Sequence, residues 1–380
     1  MVNQFIREVR RRFQRLEGNI YLIETAMFGN EQQYINRCLQ TAKVSTIGEE
    51  VSQLEKSVAK RLRVKYAVAT SSGTAALHLS LMVCGVRMDD LVITQPFTFI
   101  ATANAIQHAG AQPAFVDIDR STLGLCPDAL SRFLDTETRM VQSFCFHRQS
   151  GKRISACMPV HTFGHPGRML EIIDICQQYN IKVVEDAAEG LGSRLNNESV
   201  GSLGDIGVFS FNGNKIVTCG GGGMLVTNDE QRFTQARAIA TQSKNQINAI
   251  STQVGYNYRM PALNAALGLA QWKHLDHNIQ LKRALTNWYQ ELFSNSEVTI
   301  FTEKPDVYSN YWLQTALFPT REQRDDFVRQ TNAAQIETRA AWCSLHRHPR
   351  FRDCCRGPLP ISEWAEDCLA NLPSSIIPHA

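Results

Sequence analysis

The chain has 380 residues, of which 43% are hydrophobic and 20% charged, and its formal net charge is +3. That length exceeds one small core and suits two domains, and the composition is ordinary for a soluble globular protein. A charge so close to balance gives no reason to expect nucleic acid or an anionic membrane as partner.

The 11 cysteines follow no regular spacing, which fits a reducing cytoplasmic setting rather than a disulfide framework. The opening residues, MVNQFIREVRRRFQRL, lack the apolar centre and cleavage site of a signal peptide, and no apolar run reaches the length of a membrane span. Residues 2–16 read as an amphipathic helix with Phe5, Ile6, Val9 and Phe13 on one face and Arg7, Arg10, Arg11 and Arg15 largely on another. Such a helix serves as a docked N-terminal arm or attaches to an anionic surface.

From Ser52 the pattern becomes regular. Leu54, Val58 and Leu62 recur at helical spacing, with Ser52 as N-cap and Glu55 completing a capping box. The strand YAVAT, the turn SSG and the helix GTAALHLSLMVCG follow; then come LVIT, ATANAIQHAG, PAFVDI, a helix near Pro127, ISACMPV, MLEIIDICQQY and KVVED. Strands alternating with helices at this spacing predict an α/β layer sandwich with a largely parallel sheet, whose ligands sit in loops at the carboxyl ends of strands. After Asn228 a helix runs from Glu230 to about Ala240. The polar stretch TQSKNQINAISTQ follows, and a long helix after Pro261 carries the stripe Leu263, Leu267 and Ala270. The remainder mixes helices with short strands such as NYWLQTALF. The expected organisation is an arm over 1–28, a large α/β domain over 29–250 and a smaller α+β domain over 251–380.

The stretch VVEDAAEGLGSRLNNESVGSLGDIGVFSFNGNKIVTCGGGGMLV holds the chemistry. Lys215 lies just beyond the strand GVFSF in a glycine-rich loop. There it is either a solvated cation or an amine desolvated enough to attack an aldehyde and then to move a proton. Asp186 ends KVVED and is either a helix N-cap, with Glu189 at the third position, or a carboxylate facing the crevice that keeps a pyridine nitrogen protonated. Residues 71–78, SSGTAALH, form an anion cup: Gly73 lets backbone approach closely, Thr74 offers a hydroxyl, and amides at the helix start point outward. Ser210 in FSF adds a second hydroxyl. The run Gly220–Gly223 is not a P-loop, because no G-K-[ST] follows and a strand, not a helix, comes next. His161, His165, His346 and His348 form no H-E-x-x-H pair, so no metal is expected.

Taken together, SSGTAALH, PFTFIATANAI, GAQPAFVDID, PVHTFGHP, VVEDAAE, GSLGDIGVFSFNGNKI, GGGGMLVTND and GYNYRMP resemble, in order, the DegT/DnrJ/EryC1/StrS family of sugar aminotransferases. The resemblance runs from about Gly29 to the C-terminus and implies the fold-type I pyridoxal 5'-phosphate architecture. It implies that Lys215 bears the cofactor as a Schiff base, that Asp186 pairs with the pyridine nitrogen and that Glu189 lies near the phenolic oxygen. Phe99 would stack on the ring, Gly73, Thr74 and Ser210 would bind the phosphate, and Asn257 would reach the phosphate of a neighbouring subunit in a homodimer with shared sites. His161, Arg259, Trp342 and His346 are the expected substrate contacts. Glutamate is the implied amino donor. Among subfamilies the chain looks most like the legionaminic-acid and bacillosamine enzymes, which act on nucleotide-linked 4-keto-6-deoxy N-acetylhexosamines. It departs from them at Glu24 and Ala26, where those enzymes commonly have His and Pro, and around Trp342 and His346. Both departures bear on substrate, so a GDP-linked 4-keto-6-deoxymannose (the perosamine type) and a dTDP-linked sugar stand as alternatives. A sugar dehydratase of the same fold has His where Lys215 stands, and a non-catalytic cofactor-binding regulator is the remaining rival.

Overall fold

The computed structural model describes residues 1–46, 48–243, 251 and 254–376. Three helices lead in, α1 (Val2–Arg12), α2 (Glu31–Gln40) and α3 (Glu49–Leu62), followed by β1 (Tyr66–Thr70), α4 (Gly73–Val83), β2 (Leu91–Thr94), α5 (Ala101–His108) and β3 (Gln112–Phe115). The alternation continues through α6 (Pro127–Glu137), the hairpin β4 (Thr138–Val141) and β5 (Phe144–His147), β6 (Arg153–Met158), α7 (Met169–Gln178) and β7 (Lys182–Asp186). Short strands β8 (Arg194–Leu195) and β9 (Glu198–Ser199) precede β10 (Ile206–Ser210), β11 (Gly223–Thr227) and α8 (Glu230–Ala240).

The main sheet runs β1-β11-β10-β7-β6-β2-β3, with the β4–β5 hairpin joined through β6. Strands β10, β7, β6, β2 and β3 pair in parallel, and β11 alone reverses direction between β10 and β1. Because β10, β7, β6 and β2 have helices on both faces, they read as continuous apolar runs rather than alternating ones. The reversal is made by the four-glycine run: Phe211 N–H donates to Gly222 O at 2.9 Å, and a side chain on Gly223 would fall 2.5 Å from Ser72 O. Those glycines let β11 lie against the turn that follows β1.

The second half contains α9 (Ala262–Trp272), α10 (Leu275–Phe293), β12 (Thr299–Ile300), β13 (Val307–Tyr308), β14 (Gln314–Leu317), α11 (Arg321–Ala333), β15 (Arg339–Ala340), α12 (Pro360–Cys368) and β16 (Leu369–Leu372). Its sheet has the order β12-β14-β16-β15 and is antiparallel throughout. Helix α1 docks here. Phe5, Val9 and Phe13 are buried with Tyr289, Phe293 and Phe327, so the apolar face of the arm is covered within the chain. The expected domain boundary at 250–251 adjoins residue 250, which lies outside the described residues, as does most of the polar stretch before it.

Three local expectations change. The expected arm helix over residues 2–16 stops at Arg12. Helix α3 begins at Glu49, so Ser52 lies inside it and bonds Glu49 O; Glu55 makes no capping box but accepts from Ala69 N–H at 2.9 Å and from Arg237 at 2.8 Å. A carboxylate that ties α3 to β1 has no reach left for its own helix start. In α9 the buried face is Ala262, Ala265, Ala266, Gly268 and Ala270, while Leu263 and Leu267 stay half-buried, because close packing on Leu54 and Cys219 admits only small residues.

Candidate active site

The site forms where β7 and β10 end beside the start of α4. Asp186 closes β7 and is 4% exposed. No helix follows it, so the N-cap reading fails. Its carboxylate accepts from Thr102 Oγ1 at 2.8 Å and, within a turn, from Ala188 N–H at 3.2 Å. Thr102 bonds in turn to Thr98 at 3.0 Å. Burial raises the Asp186 pKa above its ordinary value, and the two donors and the Lys215 charge only partly oppose this. A buried carboxylate held by neutral donors is a charge in want of a cation.

Lys215 follows β10 in a turn closed by its own N–H to Asn212 O at 3.0 Å. Its side chain is 12% exposed, with Nζ 3.5 Å from Glu189 Oε1 and 3.7 Å from the centroid of the Trp312 ring. Burial lowers its pKa, against the opposing pull of Glu189 and Asp186. The neutral, nucleophilic amine is thereby more accessible than on a surface lysine. Glu189 accepts from Phe163 N–H at 2.8 Å, and burial pushes its pKa up to about 7. Near neutral pH it can therefore either donate or accept a hydrogen bond. Asn310 holds this corner together: its side-chain N–H groups donate to Glu189 O and Leu191 O at 2.7 and 2.9 Å, and its Oδ1 accepts from Trp312 N–H at 2.8 Å.

The anion cup lies across from them. Ser72 caps α4 by accepting from Ala75 N–H at 3.0 Å, while the amides of Gly73 and Thr74 have no protein partner among the described residues. Free amides at a helix N-terminus favour a phosphate. Gly73 faces Ser210 so closely that a Cβ there would stand 2.9 Å from Ser210 Cβ and 3.1 Å from its Oγ. Phe99, just before α5, is 56% exposed, so its ring is available as a stacking face.

These features fit pyridoxal phosphate: a desolvated amine for its aldehyde, a buried carboxylate lacking a cation for its ring nitrogen, a group near neutrality for its phenolic oxygen and free amides for its phosphate. The structure thus brings Lys215, Asp186 and Glu189 together, and Gly73 together with Ser210. Asn257 is exposed, accepts from Arg259 Nε at 3.3 Å and belongs to a segment that runs beside the anion turn of the same chain, with Ser71 N–H donating to Tyr258 O at 2.7 Å.

The remaining expected contacts are placed differently. His161 is fully buried, Nε2 lying 3.1 Å from Glu185 and Nδ1 accepting from Gly167 N–H at 3.2 Å. It stands behind the site, where its backbone N–H donates to Asp186 O at 3.1 Å, and its side chain is closed to solvent. Trp342 packs on Phe163 at 4.5 Å and Phe97 at 5.8 Å between centroids, and Phe163 in turn donates its N–H to Glu189. His346 is 8% exposed, with Nε2 3.5 Å from Glu363 and Nδ1 without a partner. Sequence reasoning passed over Thr102, Trp312 and Lys282. The signal for Thr102 is its place in ATANAI, one turn beyond Phe99; Trp312 lies in NYWLQTALF, whose pattern shows only a strand.

The model of the DegT/DnrJ/EryC1/StrS aminotransferase family matches residues 26–376, and the chain belongs to that family. Its aminotransferases depend on pyridoxal phosphate, in agreement with the site's donor set. The chain is 34% identical over 363 residues to the GDP-perosamine synthase of Escherichia coli O157:H7, covering 93% of this chain and 94% of that protein. It is 31% identical over 282 residues to the UDP-4-amino-4,6-dideoxy-N-acetyl-beta-L-altrosamine transaminase of Campylobacter jejuni, covering 73% and 71%. The fold superposes with a TM-score of 0.84 on a DegT DnrJ EryC1 StrS aminotransferase from Brucella abortus, at 23% identity over 97% of this chain and 92% of that one.

Proposed function

We propose that the protein transfers the amino group of L-glutamate to the C4 ketone of a nucleotide-linked 4-keto-6-deoxy sugar, the UDP-linked 2-acetamido-2,6-dideoxy form first, in the cytoplasm and on the route to a surface polysaccharide or nonulosonic acid. The observation that carries the reading is the buried triad of Lys215, Asp186 and Glu189 facing the anion cup. An intact lysine argues against a dehydratase on this fold.

Pyridoxal phosphate, when bound, supplies an aldehyde that carries the amino group and a ring that takes up the electron pair left by a departing proton. Lys215 would hold it and, as the free amine, would move a proton at the donor's α-carbon in one half of the cycle and deliver one to C4 of the sugar in the other. Asp186 would keep the ring nitrogen protonated, its carboxylate oriented by Thr102 on one oxygen and by the Ala188 N–H on the other. Gly73, Thr74 and Ser210 would hold the phosphate, Phe99 would cover the ring, and Glu189 would stand beside the phenolic oxygen. Asn257, exposed at the edge of the cup, is the candidate for a reach into a second copy's site, and the proposed working unit is a homodimer. Arg259 and the His346–His348 segment are the candidate partners of the nucleotide diphosphate.

A GDP-linked substrate is the second reading, favoured by the nearly full-length match to GDP-perosamine synthase. The deciding experiment offers UDP-, GDP- and dTDP-linked 4-keto-6-deoxy sugars with L-glutamate, reads 2-oxoglutarate release and assigns the product amine by NMR. Turnover of none of them sinks the proposed substrate class, and preference for GDP replaces the first reading with the second.

A further inference from the structure

Trp312 is not part of the donor set that would grip the cofactor, yet the centroid of its ring lies 3.7 Å from Nζ of Lys215, almost as near as the Glu189 Oε1 with which that nitrogen pairs at 3.5 Å. The ring is pinned at one edge and its backbone on both sides. Its indole N–H donates to Asn214 O at 2.8 Å, its backbone N–H to Asn310 Oδ1 at 2.8 Å, and its carbonyl accepts from Lys282 Nζ at 2.8 Å. Lys282 is itself 2% exposed and anchors a second carbonyl, Ser374 O, at 2.6 Å. An aromatic ring merely filling the core needs no such tethering of its plane against one ammonium.

We propose that Trp312 and Glu189 form a cradle for the free amine of Lys215, with Trp312 as a positioning residue that holds the nitrogen as a cation over its ring while Glu189 takes and returns its proton. The chemistry demands such a place. A lysine that binds the cofactor, leaves it and then moves a proton must rest somewhere between those duties, close to a group that can exchange a proton with it. A buried amine would otherwise lose its proton to solvent too readily, since burial alone disfavours the charged form. A desolvated ring face offsets that loss without introducing a second carboxylate. The transfer is simple: the ammonium proton passes from Nζ to Oε1 of Glu189, leaving a neutral amine and a carboxylic acid, and returns by the same path.

Charged groups facing Lys215 from the surrounding elements are Asp186 at the end of β7 and Glu189 just beyond it, and Glu24 and Lys282 on the walls of the cleft it lines. Glu189 and Asp186 raise the lysine's proton affinity, in opposition to burial. The ring adds to them.

The test titrates Lys215 in the cofactor-free protein. Carbamoylation by cyanate, read by mass spectrometry of the peptide carrying Lys215, gives the pH midpoint of the free amine. Trp312→Leu is expected to lower that midpoint by about one unit, and Trp312→Phe, which keeps a ring face, by a few tenths. Global replacement of tryptophan by a fluorinated analogue drains the ring face while keeping its shape, so it reads the same shift even where Trp312→Leu does not fold. An unchanged midpoint with fluorinated tryptophan, or in a folded Trp312→Leu protein, overturns the cradle. The inference rests on Lys215 being the reacting amine, but its failure would leave that assignment standing, because the titration reads Trp312 alone.

Discussion

Gly73→Ala tests the anion cup where it is tightest. A Cβ at this position would lie 2.9 Å from Ser210 Cβ, a separation real methyl groups do not adopt, so α4 or β10 must move by a few tenths of an ångström or more. Overpacking of this kind costs about 1–3 kcal/mol of stability. The larger effect falls on the cofactor, because the Gly73 and Thr74 amides move with the helix start. Losing one hydrogen bond to a charged oxygen is worth about 1.5–3 kcal/mol, which is roughly a 10- to 100-fold rise in the dissociation constant. Binding is followed by absorbance for pyridoxal phosphate and, in parallel, for pyridoxal, which lacks the phosphate. The variant should lose affinity for the first and change little toward the second. Adding Ser210→Gly removes the clash and should restore stability to near the wild type, while phosphate affinity stays low for want of the Ser210 hydroxyl. Wild-type affinity for pyridoxal phosphate in Gly73→Ala, or equal losses for both ligands, would refute the placement of the phosphate.

Further outcomes follow from the same geometry. Glu189, pushed up to about 7 from an ordinary 4.5, binds its proton more tightly folded than unfolded, so the cofactor-free protein should be most stable below about pH 4.5 on this group's account and lose that stability as pH rises through 7. Glu189→Gln should flatten this part of the curve by about 3 kcal/mol at most, read by urea denaturation across pH; an unaltered slope would contradict it. Asp186→Ala should still bind the cofactor but lose orders of magnitude in rate, measured by single-turnover kinetics, through the lost electron sink. Asn310→Ala leaves the Glu189 and Leu191 carbonyls and the Trp312 N–H unpaired, and should cost about 3 kcal/mol or more by denaturation. Phe5→Ala should cost about 3–5 kcal/mol if α1 is part of the core, and almost nothing if the arm is free.

Much of this architecture is readable from residue order because parallel strands buried on both faces are written as apolar runs. YAVAT, LVIT and KVVED fall on β1, β2 and β7 as read. The cup was readable for the same kind of reason: a glycine between serine and threonine at a strand-to-helix junction has few other uses. What failed were decisions settled by tertiary partners. Ser52 and Glu55 have the spacing of a capping box, but Glu55 is drawn across to Ala69 and Arg237. Asp186 followed by two alanines could equally have begun a helix; only the turn that follows β7 removes that option. His161 looked available for substrate because nothing in PVHTFGHP reveals that Glu185, one sheet neighbour away, would claim its Nε2. Trp312 acquires its meaning from a loop almost a hundred residues earlier, and no local pattern announces such a meeting.

Lys215 is the amine proposed to hold the cofactor, and borohydride trapping tests this most directly. The protein reconstituted with pyridoxal phosphate can be reduced with borohydride, digested and sequenced by mass spectrometry. A phosphopyridoxyl group on Lys215, absent from Lys215→Ala, is the predicted result. Lys282 is the sharp control, since burial brings its pKa down to about 7 and it lines the same cavity. Label on Lys282 or on a surface lysine, with Lys215 unmodified, would contradict the account.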